Sequence, residues 1–166
     1  MWVATGFGLE KISYDGIRDQ EYEKSLLNVN YIIDLQIIND VMLWVATDQG
    51  ILKIDTWNDY DAENIIRFSE SDTLPPSRRI SNNLVHDILP VEDKIWVATG
   101  SGMVIIDTTT NSVTDFNSDL IARVISKDSS GNIWLGTEMD GLFKIPYELL
   151  GDIEKGEDFE LEGHIF

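Results

Sequence analysis

The sequence predicts an all-β fold assembled from repeated four-stranded antiparallel units. Three observations carry that expectation. First, Trp2-Val3-Ala4-Thr5 returns as Trp44-Val45-Ala46-Thr47, Trp96-Val97-Ala98-Thr99 and Trp134-Leu135-Gly136-Thr137, and self-similarity at such a period marks a repeat architecture. Second, a Gly follows each motif (Gly8, Gly50, Gly102, Gly141), and apolar alternation resumes behind it, as in Ile51-Leu52-Lys53-Ile54 and Met103-Val104-Ile105-Ile106. Third, helical periodicity is missing nearly everywhere, and Tyr147 to Ile153 is the one candidate for a short helical turn.

Each unit reads as strands A to D. Strand A is an apolar stretch: Tyr31 to Ile37, Leu84 to Leu89 and Ile121 to Ile125. Turn residues, plainest in Asp128-Ser129-Ser130-Gly131-Asn132, separate it from strand B, which carries the Trp motif. Trp, Val and Thr suit a pleated, half-buried surface, and the Gly supplies the freedom of a tight turn into strand C. The third motif residue is always small (Ala4, Ala46, Ala98, Gly136), which suits the close approach of a neighbouring sheet or backbone. Strand D is more polar: Tyr22 to Leu27, Ile65 to Phe68, Val113 to Phe116 and Phe159 to Leu161. Four-stranded units repeated at this spacing are the mark of a β-propeller. The competing reading is a solenoid or sandwich with accidental similarity.

The four units fall at about 1–28, 29–80, 81–118 and 119–166 of a single segment. The first has no strand A before Trp2, and Gly163-His164-Ile165-Phe166 resembles the start of a further strand A, so a piece of a larger propeller is expected. Residues 163–166 could instead pair beside the Trp2 strand and close a four-bladed ring, or two chains could join head to tail. Self-association is the favoured outcome, because four residues make a short ladder strand. Trp96→Ala and Trp134→Ala are both expected to cost ~3–5 kcal/mol by emptying space between blades.

Composition narrows the function. The chain has 166 residues, 43% hydrophobic and 25% charged, which fits one globular domain. Twelve basic residues against 30 acidic ones give a formal charge of −18. Phosphate backbones and anionic membrane surfaces repel such a chain, so nucleic-acid and membrane contacts are not expected. There is no Cys, hence no disulfide, thiolate metal site or Cys nucleophile. The longest apolar run, Val41 to Ala46, is too short to span a bilayer, and no signal peptide is visible.

Ile80-Ser-Asn-Asn-Leu-Val-His-Asp-Ile-Leu with Lys94-Ile-Trp-Val-Ala-Thr-Gly-Ser-Gly resembles the two-component regulator propeller repeat, and so does Asp128-Ser-Ser-Gly-Asn-Ile-Trp-Leu-Gly-Thr-Glu-Met-Asp-Gly-Leu. The resemblance covers nearly all of the chain except the loops 56–64 and 69–79. It implies a sensor β-propeller of a bacterial hybrid two-component regulator, periplasmic or extracellular, responding to a carbohydrate or other small polar ligand by binding. Such proteins carry more repeats, a membrane span and a kinase. The alternative is a protein-interaction or self-assembly scaffold.

Propeller ligands usually sit where the B–C turns meet the loops joining successive blades. Here that face offers Phe7, Asp48, Gln49, Ser101, Glu138 and Asp140 from the turns, and Arg78, Arg79, Asn82 and Asn83 from a loop. Carboxylates, amides and an aromatic face are what a polyol needs; ordinary polar turns are the plainer reading. Arg78 and Arg79 could hold a carboxylate or anchor their own loop to a nearby Asp. Asp59, Asp61 and Glu63 alternate like Ca²⁺ ligands but lack the sixth-position Gly of a calcium loop, so neither metal nor cofactor is expected. Catalysis has little support: no nucleophile elbow, zinc motif or phosphate loop is present. Propeller lyases that open cyclic antibiotics have similar repeats and use His at the channel mouth, but His86, ten residues before Trp96 as Asp34 is before Trp44, fits a variable strand-face position.

Overall fold

A computed structural model describes residues 1–12, 15–23, 27–57, 64–117, 119–153 and 163–164. These residues form four antiparallel sheets whose strands follow one another in chain order. The first holds β1 (Trp2–Thr5), β2 (Gly8–Ile12) and β3 (Arg18–Glu23). The second holds β4 (Ile32–Ile38), β5 (Met42–Thr47), β6 (Gly50–Asp55) and β7 (Ile65–Phe68). The third holds β8 (Val85–Val91), β9 (Lys94–Thr99), β10 (Gly102–Asp107) and β11 (Val113–Asn117). The fourth holds β12 (Ala122–Lys127), β13 (Ile133–Thr137), β14 (Leu142–Ile145) and β15 (Gly163–His164). The expected all-β row of antiparallel blades is therefore observed.

The conserved letters of the repeat each have a mechanical task in the hairpin of strands B and C. Thr pairs directly with Gly across the turn, Thr47 with Gly50 and Thr99 with Gly102. The Thr47 hydroxyl donates to the Gly50 carbonyl at 2.8 Å and accepts from the Gln49 N–H at 3.0 Å, so one side chain staples the turn. Thr5, Thr99 and Thr137 repeat the staple. Gly50 has φ 100°, and a Cβ there would run into the carbonyl of Phe68 on the next strand. At the third motif position of the fourth blade, a Cβ on Gly136 would meet Val124 of the inner strand.

Three hydrophobic clusters hold the blades together, one at each junction. Leu9, Leu43, Val45, Leu52 and Ile54 join the first blade to the second. Trp44, Ile51, Phe68, Ile88, Val97 and Ile106 join the second to the third. Trp96, Met103, Ile105, Ile125, Leu135 and Ile145 join the third to the fourth. Trp44 stacks on Phe68 with ring centroids 5.7 Å apart. A Lys ammonium lies over the Trp ring directly across the hairpin in three blades: Lys11 over Trp2, Lys53 over Trp44 and Lys144 over Trp134. Lys53 also reaches across the junction and donates to the Thr108 carbonyl at 2.6 Å and Asn111 Oδ1 at 2.7 Å.

Several expectations change. Trp96 is fully buried between blades, whereas Trp134 is half-buried on the outer face of the fourth blade, so the two no longer carry equal cost. Gly163 and His164 do not start a further inner strand or pair beside the Trp2 strand; they form the outermost strand of the fourth blade, opposite Phe143 and Leu142. Among the described residues no hydrophobic cluster joins the fourth blade to the first. The expected outer strand Phe159 to Leu161 and the alternating acids Asp59, Asp61 and Glu63 lie outside the described residues. The helical candidate is a 3₁₀ turn at Tyr147–Leu149 leading into a single α-helical turn at Leu150–Ile153, whose Leu150 and Ile153 are buried. A second 3₁₀ turn at Pro76–Arg78 follows the stiff Pro75-Pro76 pair.

Candidate functional site

The chain direction puts the B–C turns, the loops between blades and the first residues of each inner strand at one end of the blades. Backbone bonds tie these parts together. The N–H of Asp48, Gly100 and Glu138, each in a B–C turn, donates to the carbonyl of Tyr31, Leu84 and Ile121, just before the inner strand of the same blade. Gly50 then donates to Asn83 at 2.9 Å and Gly102 to Leu120 at 2.8 Å, each in the loop that opens the following blade. The result is a continuous rim of turns with fixed geometry.

Side chains lock the rim further. Asp48 accepts from the N–H groups of Asn30 and Tyr31 at 2.9 and 3.0 Å and from the Asn30 amide at 2.8 Å. Against partial burial, which would raise its pKa, these bonds hold the Asp48 carboxyl below the usual carboxylate range. Asn82 donates to the Ser101 hydroxyl at 2.9 Å and accepts from Leu84 N–H, joining loop to turn. Asn83 and Glu70 exchange two bonds of 2.8 Å, backbone N–H to side-chain oxygen in each direction.

Near the blade axis the inner strands are bulged between Ile32 and Asp34, Val85 and Asp87, and Ala122 and Val124. The bulged residues are thus Ile33, His86 and Arg123. His86 Nδ1 lies 2.6 Å from the Ala122 carbonyl and Nε2 lies 2.9 Å from Arg123 Nη1. A carbonyl can only accept and a guanidinium can only donate, so these partners assign the proton to Nδ1. Arg123 also donates through Nε and Nη2 to Glu138 Oε2 at 3.1 and 2.5 Å. One arginine therefore bridges the third blade's inner strand to the fourth blade's turn, with its guanidinium about half exposed. Beside it, burial pushes the Asp87 carboxyl up, helped by the Asp34 carboxylate and opposed by hydrogen bonds from Ile125 and Ile88 N–H.

The structure brings Asp48, Gln49, Asn82, Asn83, Ser101 and Glu138 onto this rim, each bonded within it. Arg79 binds its own loop, donating to the Leu74 and Asp72 carbonyls and pairing with the Asp72 carboxylate at 3.3 Å. Phe7 and Asp140 are exposed at turn tips and Arg78 is half-buried at the end of its 3₁₀ turn. Exposed Tyr31, Leu84 and Met139 add apolar surface. His86 and Arg123 were not among the expected site residues. Counting back from Trp matches His86 to Asp34, whereas the ladder matches Asp34 to Asp87, each opposite the motif Ala. Among the described residues no group of three or more His, Asp or Glu is placed to hold a metal ion, and no helix is long and apolar enough to cross a membrane.

No family model and no curated protein matches the chain. Solved structures do. The extracellular domain of BT4673, described as a hybrid two-component system of B. thetaiotaomicron, superposes with a TM-score of 0.68 at 20% identity, over 99% of this chain and 20% of its own. The extracellular domain of a second such system, BT3049, gives 0.64 at 18% identity over 98% and 20%. PorZ, a surface component of the type-IX secretion system of Porphyromonas gingivalis, gives 0.67 at 10% identity over 99% and 25%. The chain thus spans about a fifth to a quarter of the length of these proteins, and the likeness places it in the same β-propeller fold.

Proposed function

We propose that the chain is a ligand-sensing segment of an extracytoplasmic β-propeller, part of a two-component regulator-like protein that works by binding rather than catalysis. The observation that carries this reading is the rim itself. Its turns are fixed by hydrogen bonds, and a half-exposed Arg123 is held there between His86 and Glu138. Prefixed polar groups beside apolar patches suit a small polyol, because the site loses little conformational freedom on binding. The extracellular domains of two-component systems that share the fold support the same compartment and role. The ligand class proposed is a carbohydrate or other small polar molecule, touching Arg123, Glu138, Asp140, Ser101, Asn82 and Gln49.

The test is calorimetric titration of an oligosaccharide panel into the folded chain and into Arg123→Ala. Saturable heat with the parent chain, lost in the variant, supports the reading. Silence across the panel from a well-folded protein contradicts it. A second reading, an assembly scaffold, draws on the outer face of the fourth blade, where Trp134, Leu142 and Lys144 are only half-buried. A solution mass of twice 18.8 kDa would favour that scaffold.

A further inference from the structure

The seam between β8 and β12 carries a polar tie that the seam between β4 and β8 cannot, because the equivalent residues differ in chemistry. A bulge at the rim end of β4, β8 and β12 takes Ile33, His86 and Arg123 out of the ladder, and a bulge re-aims the side chain it carries. Ile33 is exposed and apolar, with no side-chain donor or acceptor to offer. His86 instead uses both ring nitrogens across the seam: Nδ1 lies 2.6 Å from the Ala122 carbonyl and Nε2 lies 2.9 Å from Arg123 Nη1. The carbonyl fixes the ring and leaves the bare Nε2 as an acceptor for the guanidinium. Glu138 Oε2 accepts from Nε and Nη2 of the same guanidinium. Arg123 is thus oriented by two acceptors, one from the third blade and one from the fourth. Nη1 and Nη2 each keep a second N–H, which a ligand oxygen can take.

We infer that His86 is a positioning residue for Arg123: as the Nδ1–H tautomer it holds the guanidinium in place on the rim, and on taking up a proton it lets go. Protonation puts an N–H on Nε2, so two donors, both on cations, then face each other across that contact. Arg123 is left to Glu138 alone, and its orientation loosens. Histidine is the side chain whose charge changes in the mildly acidic range. The strands packed against β8 are β4, β5, β9 and β12. β5 has no charged residue; the others carry Asp34 on β4, Lys94 on β9, and Arg123 and Lys127 on β12. Lys94 and Lys127 sit at the far end of their strands, opposite Val91 and Ile133. Asp34 acts on Asp87, the neighbour of His86, and the Asp87 carboxyl accepts from Ile125 and Ile88 N–H. The ring's own bonds go to Ala122 and Arg123. A pH-dependent affinity follows only if the rim is the ligand face, and to that extent the inference rests on the reading above; the hold on Arg123 does not.

Side-chain nitrogen resonances of histidine and arginine in the ligand-free chain test the hold from about pH 8 to about pH 5, with His86 assigned by its loss in His86→Gln. The Nδ1–H tautomer is expected at the alkaline end, and Arg123 Nε–H should shift along the His86 titration curve. Gln keeps a neutral acceptor and takes up no proton, so in His86→Gln the Arg123 signal should stay still. Asp87→Asn, which removes the neighbouring acid, should leave the coupled shift in place. In the parent chain alone, an Nε2–H tautomer or an Arg123 signal indifferent to His86 overturns the inference. An equal shift in His86→Gln, or a shift lost in Asp87→Asn, overturns it as well. Calorimetry with an oligosaccharide that binds adds the functional arm. Affinity should fall at least about threefold from about pH 7.5 to about pH 5.5 in the parent chain, as a preset donor is lost, and stay flat in His86→Gln. A flat parent profile contradicts the inference. Silence from every sugar removes the ligand-sensing reading instead, and the resonances of the free chain still decide the hold on Arg123.

Discussion

Replacing Trp96 with alanine removes the largest side chain at the junction of the third and fourth blades, where Trp96 is fully buried among Met103, Ile105, Ile125 and Leu135. A buried Trp takes on the order of 200 Å² out of water, and at about 25 cal/mol per Å² that is about 5 kcal/mol. Among the described residues the indole N–H has no hydrogen-bond partner, so truncation also relieves an unpaired buried donor, which returns about 1–2 kcal/mol. The cavity left between two packed sheets adds a loss of about 1 kcal/mol or more. The net expectation is about 3–5 kcal/mol, read as a lower midpoint in urea denaturation followed by far-ultraviolet circular dichroism. Trp134→Ala is the internal control. That ring is half-buried on the outer face, and although its Nε1–H donates to Asp128 at 2.9 Å, its loss is expected to stay near about 1–2 kcal/mol. A loss below about 1 kcal/mol for Trp96→Ala, or equal losses for the two variants, would refute the packing argument.

Gly50→Ala places a Cβ against the Phe68 carbonyl at a φ of 100°, and the expected loss is at least about 2 kcal/mol by the same denaturation assay. Lys53→Met keeps the stem over Trp44 but leaves the Thr108 carbonyl and Asn111 Oδ1 without their donor; thermal unfolding should report a loss of roughly 1–3 kcal/mol, and an unchanged midpoint would remove the inter-blade role assigned to this lysine. Hydrogen bonds from the Asn132 side chain and the Trp134 indole hold the Asp128 carboxyl down to about 2. A depressed carboxyl contributes stability that is present above its unfolded value and lost as pH falls through the folded one. Calorimetry from about pH 5 down to about pH 2 should therefore show a smaller acid loss for Asp128→Asn than for the parent chain. Parallel acid limbs would contradict the assignment. Burial pushes Asp87 the opposite way, and its effect is common to both proteins.

Most of the architecture was legible because the repeat encodes backbone mechanics. Thr and Gly staple each turn, Trp fills a junction, and period-two alternation sets the strands, so inner strands, Trp strands and turns all fall near their expected places. The site was less legible for a local reason. Three residues, Asn39, Asp40 and Val41, separate Ile38 from Met42 in the second blade, whereas only Glu92 and Asp93 separate Val91 from Lys94 in the third. Counting from Trp therefore slips by one residue and pairs His86 with the wrong neighbour. The shared Asp34-Leu35 and Asp87-Ile88 steps were the signal that aligns the strands correctly. Arg123 carried no local pattern, since its meaning comes from contacts with His86 and Glu138, 37 and 15 residues away. The Lys residues over Trp2, Trp44 and Trp134 were visible as a recurring Lys before the last Ile of strand C, although their role needed the register.

The central claim is that the rim of B–C turns and inter-blade loops is the face that meets a small polar ligand. Amide chemical-shift mapping during titration with an oligosaccharide that binds in calorimetry tests it directly. Shifts grouped at residues 28–31, 48–50, 82–84, 100–102, 121–123 and 138–141 are expected. Shifts grouped instead at the opposite turns, 39–41, 92–93, 108–111 and 128–132, would contradict it.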